Sequence, residues 1–425
     1  MSWPIVKPPW KHVKWLTWPE KDGSAVNWTS SPNTRWTEEK PALISSEIDE
    51  LKLEIEKLDK IGEWEILKRT SNPYELVFSQ SQDKRIPQSI CSIKPLSRSF
   101  FKMIEILFVL DFFKRTNGRK LRSAHVCEGP GGFIEALIYL SLRNSVTVDE
   151  ASAMTLRPTK ANIPGWKRAY HFLKTSPMVK IEYGADNTGD ILVPLNQGAF
   201  LDKTRGRCNI FTADGGFDFS EHYGTQEEEV LPLLISSALI GLQTLVKGGD
   251  FILKIFDTES KATTDFITLL SYCFDSWTLY KPSLSRPCNA EKYFLGRGYK
   301  IAPGWILKTF VEIRNAYACG FKHMISIFPS LPEQISEPVN ILRKELFDQQ
   351  VSALKYAIEH KTEWNSNPSP KWRDIQTNSI FWCRAFQMPM RQLSLASTIV
   401  NKENSIPWSQ VVASHTRLED AVQPE

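Results

Sequence analysis

Several features that mark secreted, metal-binding or membrane proteins are missing from this 425-residue sequence. The seven cysteines are scattered and odd in number, and no Cys-x-x-Cys pair occurs, so we expect no disulfide framework. The seven histidines are equally dispersed and show no zinc-binding spacing. No apolar run approaches the roughly 20 residues of a membrane span, and the N-terminus lacks a signal-peptide core. We therefore expect an intracellular protein without a metal site or a membrane span.

A strong charge imbalance is also missing. Lysine and arginine number 52 against 48 aspartates and glutamates, so net charge argues neither for nor against a nucleic-acid partner. The apolar content of 42% and the charged content of 24% are ordinary for a soluble globular protein. The length predicts more than one folding unit, or one large core with elaborations.

Composition and periodicity divide the chain into four regions. Residues 1–43 are an arm rich in Trp and Pro, which we expect to pack over the core or else to bind a partner protein or RNA bases. Residues 44–90 hold an amphipathic helix and a connector, since apolar residues recur at helical spacing from Ile44 to Leu58. Residues 91–315 alternate strands and helices, as in a doubly wound α/β sheet. Residues 316–425 predict a helical extension that ends in a polar tail.

The α/β region is organised around a glycine-rich turn. A short apolar run ends at Val126, and an amphipathic helix begins near Phe133. The turn between them consists of Cys127, Glu128, Gly129, Pro130, Gly131 and Gly132. Glycines let a backbone approach a ligand closely, and a helix N-terminus offers free N–H groups. The spacing matches neither the phosphate-binding loop nor the dinucleotide motif, which disfavours a dinucleotide-dependent oxidoreductase.

Four charged residues stand in otherwise apolar contexts. Lys102 lies on an apolar helix, Asp214 follows a buried strand, Lys254 lies within another strand, and Glu291 begins the last one. Buried charges are unfavourable unless they are paired. They are either a structural ion-pair network or a site in which carboxylates control a lysine that stabilises an alkoxide.

Five sequence motifs carry a resemblance to a known family. They occur in the family's order and are residues 97–103, 128–133, 213–217, 248–254 and 285–293. The chain resembles the FtsJ-like ribose 2′-O-methyltransferases, which depend on S-adenosylmethionine. Within that family it is most similar to the mRNA cap methyltransferases of eukaryotes and of large cytoplasmic DNA viruses.

The resemblance implies a Rossmann-like methyltransferase fold, with a mostly parallel seven-stranded sheet and helices on both faces. It implies S-adenosylmethionine as cofactor, capped mRNA as substrate and no metal. The implied catalytic residues are Lys102, Asp214, Lys254 and Glu291, with Lys254 at the centre. The implied cofactor-binding residues are Glu128, Gly129, Pro130, Gly131, Gly132, Phe133, Asp190 (or else Asp186) and Asp214. The candidate RNA contacts are Arg98, Arg286 and Trp166.

Two positions of the glycine motif depart from the family's usual residues. His125 stands where family members often carry Asp, and Glu128 where they often carry Ala. Two other interpretations stay open at this point. One is methylation of rRNA or another structured RNA, and the other is an inactive RNA-binding subunit of the same fold. The viral relatives favour a cytoplasmic location over a nuclear one.

Overall fold

The computed structural model describes residues 8–18, 31–38, 47–80, 83–116, 120–159, 163–216, 226–364 and 371–391. The strands in these ranges are β1 (Arg35–Thr37), β2 (Leu121–Val126), β3 (Val148–Met154), β4 (Val179–Glu182), β5 (Cys208–Ala213), β6 (Leu245–Ile255), β7 (Phe274–Tyr280), β8 (Lys292–Tyr299) and β9 (His323–Ser326). The α-helices are α1 (Glu47–Lys60), α2 (Trp64–Thr70), α3 (Ser99–Val109), α4 (Phe112–Thr116), α5 (Gly132–Arg143), α6 (Tyr170–Thr175), α7 (Pro194–Thr204), α8 (Gln226–Thr244), α9 (Lys261–Tyr272), α10 (Gly304–Ala318), α11 (Glu333–Glu359), α12 (Lys361–Trp364) and α13 (Lys371–Ala385). None of these helices is both long and apolar enough to cross a membrane.

Seven strands form one sheet in the order β4-β3-β2-β5-β6-β8-β7. Strands β2 to β6 run parallel, whereas β8 is antiparallel to its neighbours β6 and β7. This arrangement confirms the predicted doubly wound, mostly parallel sheet. From β2 the chain continues outward through β3 and β4, and then returns to β5 on the other side of β2. Open α/β sheets bind ligands at the carboxyl ends of the strands at such a reversal, so the ends of β2 and β5 mark the site.

Strand β6, in the interior of the sheet, separates two apolar cores. Phe251 and Leu253 belong to a core shared with α8, α9 and α10, whereas Ile252 belongs to one shared with α3, α5 and α13. Helices therefore cover both faces of the sheet, as predicted. Successive side chains of a strand point to opposite faces. Lys254 consequently lies on the same face as Ile252, which is the face covered by α3 and its Lys102.

The described parts of both chain extensions pack on the sheet domain. Helix α1 shares a small core with α2 and α11, and strand β1 of the arm pairs antiparallel with β9. Trp10 and Trp18 are buried in the two main cores. Trp3 and Trp28 lie outside the described residues, and docking of a partner on the arm stays a prediction.

Several element boundaries differ from the predicted ones. The residues Lys247-Gly248-Gly249 predict the end of a helix, but strand β6 begins directly after α8, so Gly248 and Gly249 lie within the strand. Gly248 has a φ of +83°, and the pairing of β5 with β6 shifts register here, as in a β-bulge. Strand β9 lies in the extension predicted to be helical. The predicted polar tail lies outside the described residues. The segment from Asn365 to Lys371 is rich in Pro, Ser and Asn, which predicts a linker, and all of it but Lys371 also lies outside the described residues.

Candidate active site

The turn between β2 and α5 is shaped by its glycines. A Cβ at Gly129 would lie 2.8 Å from the carbonyl oxygen of Gly165, and one at Gly132 would lie 2.3 Å from the Ser97 hydroxyl. Gly131 adopts a φ of +104°, in the left-handed region that favours glycine. Helix α5 begins at Gly132, so its first N–H groups lie at the turn. The carboxyl end of β2 therefore presents close-packed backbone and free N–H groups, as a nucleoside-like ligand requires.

Pro130 and Phe133 complete the turn. The Gly129–Pro130 peptide bond is cis. Phe133 is fully buried, with its ring centroid 5.8 Å from that of Tyr293 on β8. This packing fixes the start of α5 against the strand that follows Glu291.

A chain of buried polar side chains lies behind the turn. The His125 ring is 2.7 Å from the Thr212 hydroxyl through Nδ1 and 2.8 Å from the Ser123 hydroxyl through Nε2. Thr212 in turn donates to Oε1 of Glu128, which is only 3% exposed. Burial lowers the pKa of His125 to about 3. Burial, together with the neighbouring Asp214 carboxylate, raises the pKa of Glu128 well above its ordinary value.

Lys254 extends from β6 to the end of β5. Its Nζ donates to the backbone oxygen of Asp214 at 2.7 Å and lies 3.3 Å from the Asp214 carboxylate. The hydroxyl of Tyr293, which pairs with Lys254 across β6 and β8, donates to the same carboxylate at 2.9 Å. The Phe256 ring lies 5.6 Å from Nζ. Two of the four predicted catalytic residues are thus in direct contact.

Lys102 and Glu291 form the other half of the cluster. Nζ of Lys102 on α3 donates to both carboxylate oxygens of Glu291, at 2.6 and 2.8 Å. Glu291 stands immediately before β8 rather than inside it. Its charge also acts on Lys254. The four predicted residues therefore come together as two adjacent ion pairs.

Burial and the neighbouring opposite charges shift the pKa values of this cluster in opposite directions. Burial lowers the pKa of Lys254, but the carboxylates of Asp214 and Glu291 outweigh it and leave that pKa above its ordinary value. Burial raises the pKa of Glu291, yet Lys102 and Lys254 bring it down to about 2. Near neutral pH, Lys254 is therefore an ammonium and Glu291 a carboxylate. Such an ammonium does not accept a proton, but it stabilises negative charge developing on a nearby hydroxyl oxygen.

The loop from β7 to Glu291 is held by Lys281, a residue without a predicted role. Its Nζ donates to the backbone oxygens of Glu291, at 2.8 Å, and of Asn289. The Ser285 hydroxyl donates to the same Glu291 oxygen at 3.3 Å. Burial lowers the pKa of Lys281 to about 7, against the opposing effect of Glu291. Like Asp214, Lys281 directly follows a buried strand. That position is the feature by which Lys281 could have been identified from the sequence.

Tyr293 is a second residue without a predicted role. It follows Glu291 by two positions, which places both side chains on the same side of an extended segment. This two-residue spacing from Glu291 is the feature by which Tyr293 could have been identified from the sequence.

The predicted adenine contact, Asp190, lies close to the glycine turn. Burial above all raises the pKa of the Cys127 thiol to about 12, and the carboxylates of Glu128 and Asp190 add to the effect. The fallback residue Asp186 is bound within its own loop, where its carboxylate accepts from the N–H and hydroxyl of Thr188. The Asp190 carboxylate likewise accepts from the Leu192 N–H at 2.8 Å, so the choice between Asp190 and Asp186 as the adenine contact stays a prediction.

Arg98 and Arg286, the predicted RNA contacts, hold a buried carboxylate. Their guanidinium groups lie 3.0 and 2.9 Å from the two oxygens of Glu75, which is fully buried. Arg98 also donates to the backbone oxygen of Leu284, at the start of the loop that leads to Glu291. Arg286, itself part of this loop, thus connects the loop to Glu75, and Arg98 connects it to the start of α3.

Trp166, the third predicted RNA contact, is not at the surface. It is 7% exposed, and its ring lies 3.2 Å from the position of a Cβ on Gly131. The apolar residues of α5 and β3 surround it. A ring buried beneath the glycine turn supports that turn and does not stack on an RNA base.

Sequence comparison connects this site with known proteins. Residues 95–299 match the FtsJ-like methyltransferase family. A cap-specific mRNA (nucleoside-2′-O-)-methyltransferase 2 from Danio rerio is 33% identical over 215 residues, which are 49% of this chain and 29% of the relative. A cap-specific mRNA (nucleoside-2′-O-)-methyltransferase 1 from Trypanosoma cruzi is 33% identical over 225 residues, 52% of this chain and 59% of the relative. A solved ribosomal RNA methyltransferase from Plasmodium falciparum aligns with 49% of this chain and 99% of its own, at 18% identity and a TM-score of 0.33.

The chain spans about 29% and 59% of the lengths of these two curated relatives. FtsJ-like methyltransferases use S-adenosylmethionine. The site fits such a ligand, since the glycine turn allows close approach and Oε2 of Glu128 has no hydrogen-bond partner among the described residues. Within those residues, no three His, Cys, Asp or Glu side chains cluster as a metal site. Fold, motifs and family match agree that residues 95–299 are an FtsJ-like methyltransferase domain.

Proposed function

We propose that this protein transfers a methyl group from S-adenosylmethionine to a ribose 2′-oxygen at the capped 5′ end of mRNA. The observation that carries the proposal is the Lys254 ammonium, held by Asp214 at the carboxyl edge of the sheet beside the Lys102–Glu291 pair. The names of the two curated relatives support capped mRNA as the substrate.

Lys254 acts in this proposal through its charge. Because its raised pKa keeps Nζ protonated, a 2′-hydroxyl bound beside Nζ ionises more easily and its proton passes to solvent. Asp214 fixes Nζ through its backbone oxygen and its carboxylate, and Tyr293 fixes that carboxylate. S-adenosylmethionine, when bound, supplies an electrophilic methyl group on a sulfonium sulfur. Holding the ribose oxygen in line with that methyl group supplies a further part of the rate.

The second ion pair keeps the charge of the cluster in balance. Lys102 and Lys254 carry two positive charges, and Asp214 and Glu291 carry two negative ones. Removal of one member leaves an uncompensated charge in a poorly hydrated place, which is unfavourable. Lys102 and Glu291 therefore determine the field at Nζ of Lys254 without touching the ribose oxygen themselves.

The test is methyl incorporation from labelled S-adenosylmethionine into short capped and uncapped RNAs. We expect transfer to capped RNA, and at least about a 100-fold loss in Lys254→Ala, since positioned electrostatic groups contribute on that scale. Lys308→Ala is the matched control, because Lys308 is 77% exposed on α10 and should behave like the wild type. Resistance of the product linkage to alkaline hydrolysis identifies the 2′-oxygen as the acceptor.

Two other results would replace this proposal. Transfer only to uncapped structured RNA would make the protein a methyltransferase of rRNA or a similar RNA. RNA binding without any transfer would make it an inactive subunit of the same fold. Full activity in Lys254→Ala would contradict the proposed role of Lys254, although the proposed methyl transfer would still stand.

A further inference from the structure

We infer that the Glu128 carboxylate is the counter-charge for a cationic group of the bound methyl donor, either its ammonium or its sulfonium. This inference rests on the proposed function, since it takes S-adenosylmethionine as the ligand. It concerns an acidic side chain at a position where family members often carry Ala, so it describes a property of this chain.

The first observation is an oxygen that lacks a partner. Oε2 of Glu128 is buried and makes no hydrogen bond within the described part of the chain. A buried polar atom without a partner is unfavourable, so such atoms are uncommon unless a ligand satisfies them. Glu128 directly precedes Gly129, and the turn on both sides of it is partly accessible. Oε2 of Glu128, the oxygen without a partner, therefore lies at the turn where the ligand is expected.

The hydrogen bonds behind Glu128 determine which oxygen is available. When Glu128 is ionised, the single hydroxyl proton of Thr212 is donated to Oε1, and Nδ1 of His125 then donates to Thr212. Nε2 of His125 then accepts from Ser123, which agrees with a ring kept neutral by burial. Oε1 is therefore occupied by Thr212, and Oε2 is the oxygen that is open to a ligand.

The surroundings favour a positive ligand. The side chains whose charge or polarity acts near Glu128 are Asp214 and Lys254, which are charged, and His125, Cys127 and Tyr293, whose shifted pKa values keep them neutral. Lys254 is already bonded to Asp214 and leaves Glu128 without a cation of its own. Burial, with Asp214, raises the pKa of Glu128, so the free protein holds it protonated more readily than an exposed glutamate. A cation at Oε2 would displace that proton to solvent.

The experiment is isothermal titration calorimetry of the full chain and of Glu128→Gln with three ligands. S-adenosylmethionine carries both cations, S-adenosylhomocysteine carries the ammonium alone, and 5′-methylthioadenosine carries neither. We expect the variant to bind S-adenosylmethionine about 10- to 100-fold more weakly and 5′-methylthioadenosine unchanged, because the attraction between the carboxylate and the cationic group is lost. Titrations in two buffers of different ionisation enthalpy should show proton release in the wild type and less in Glu128→Gln.

Glu135→Gln is the matched control. It makes the same substitution at another buried glutamate, one whose carboxylate already accepts a hydrogen bond from the Leu96 N–H at 2.8 Å. We expect it to bind all three ligands like the wild type.

Each outcome decides the inference. Weakening of S-adenosylmethionine alone assigns Glu128 to the sulfonium, and equal weakening of S-adenosylhomocysteine assigns it to the ammonium. Unchanged binding of S-adenosylmethionine overturns the inference, as does equal weakening of the uncharged 5′-methylthioadenosine. Failure of the wild type itself to bind S-adenosylmethionine would instead overturn the proposed function together with the inference.

Discussion

Lys281 is not one of the four charged residues of the cluster, but it holds one of them, Glu291, in position. Its ammonium donates to the backbone oxygens of Glu291 and Asn289, and thereby holds the segment from which Glu291 reaches Lys102. The same burial that lowers its pKa to about 7 makes the charged form unfavourable. Lys281 therefore positions Glu291 at a cost in stability, a conflict that is common near active sites.

Lys281→Met should separate these two effects. The variant loses both hydrogen bonds to the loop, so we expect kcat for methyl transfer to fall about tenfold while KM for S-adenosylmethionine stays unchanged. The free energy of unfolding should fall little or rise, because a buried charge is removed. Lys281→Arg, which keeps a donor, should recover part of kcat. A variant with normal kcat would show that Glu291 does not depend on Lys281.

Single residues differ in how well the sequence revealed them. Lys102, Asp214, Lys254 and Glu291 were identifiable because a charge within an apolar pattern requires a partner. Arg98 and Arg286 were assigned to RNA because nothing in the sequence connects them with Glu75, more than 200 residues from Arg286. Long-range pairing of this kind has no local signal.

At the scale of elements, α13 connects the C-terminal extension to the active site. Trp382 on this helix donates from Nε1 to Glu105 at 2.7 Å, and Glu105 lies one helical turn after Lys102 on α3. The other oxygen of Glu105 accepts from Tyr280 and from Ser283, at the start of the loop that leads to Glu291. One buried glutamate thus joins α13, α3 and this loop, and both partners of the Lys102–Glu291 pair depend on it.

Trp382→Phe should weaken this junction. The substitution keeps an aromatic ring but removes the indole N–H, so Glu105 loses a partner in a fully buried place. We expect the free energy of unfolding, measured with urea, to fall by about 1–3 kcal/mol beyond the effect of lost volume. Trp18→Phe controls for volume, because the buried Nε1 of Trp18 has no hydrogen-bond partner among the described residues. Equal losses in the two variants would show that the bond to Glu105 is not important.

The helices and strands differ in how strongly their local sequence patterns predict them. The helix after the glycine turn and the strands that lead to Asp214 and Lys254 have strong periodic patterns, and they were predicted. Strand β9 was not predicted, because four residues that pair with a three-residue strand nearly 300 positions away carry no detectable alternation. The bulge at Gly248 was missed since two glycines are also typical of a loop.

At the scale of the whole molecule, the near balance of acidic and basic residues conceals large local shifts in pKa. Burial raises the pKa of Glu135 to about 8, whereas Glu291 has a pKa of about 2 because lysines surround it. Only the packed structure distinguishes these two glutamates. Stability should therefore depend on pH through a few buried groups rather than through net charge.

Glu135 gives this dependence a definite sign. Between pH 4.5 and 8 the folded protein keeps the proton on Glu135, whereas the unfolded chain releases it. Unfolding therefore releases a proton in this range, so the stability that the neutral carboxyl contributes falls as pH rises and levels off above pH 8. We expect the difference in unfolding free energy between wild type and Glu135→Gln to fall from pH 5 to 8, by up to about 1.4 kcal/mol per pH unit.

Urea titrations of both proteins at pH 5, 6, 7 and 8 measure this difference directly. Taking the difference cancels groups that titrate identically in both proteins, including Lys281. Glu312→Gln serves as a control, because the Glu312 side chain is 62% exposed on α10, and its difference from the wild type should stay flat. A flat or rising difference for Glu135→Gln would mean that the Glu135 carboxyl is ionised in the folded protein. Leu96 would then donate to a buried charge, and the packing between α5 and the segment before α3 would have to open towards water.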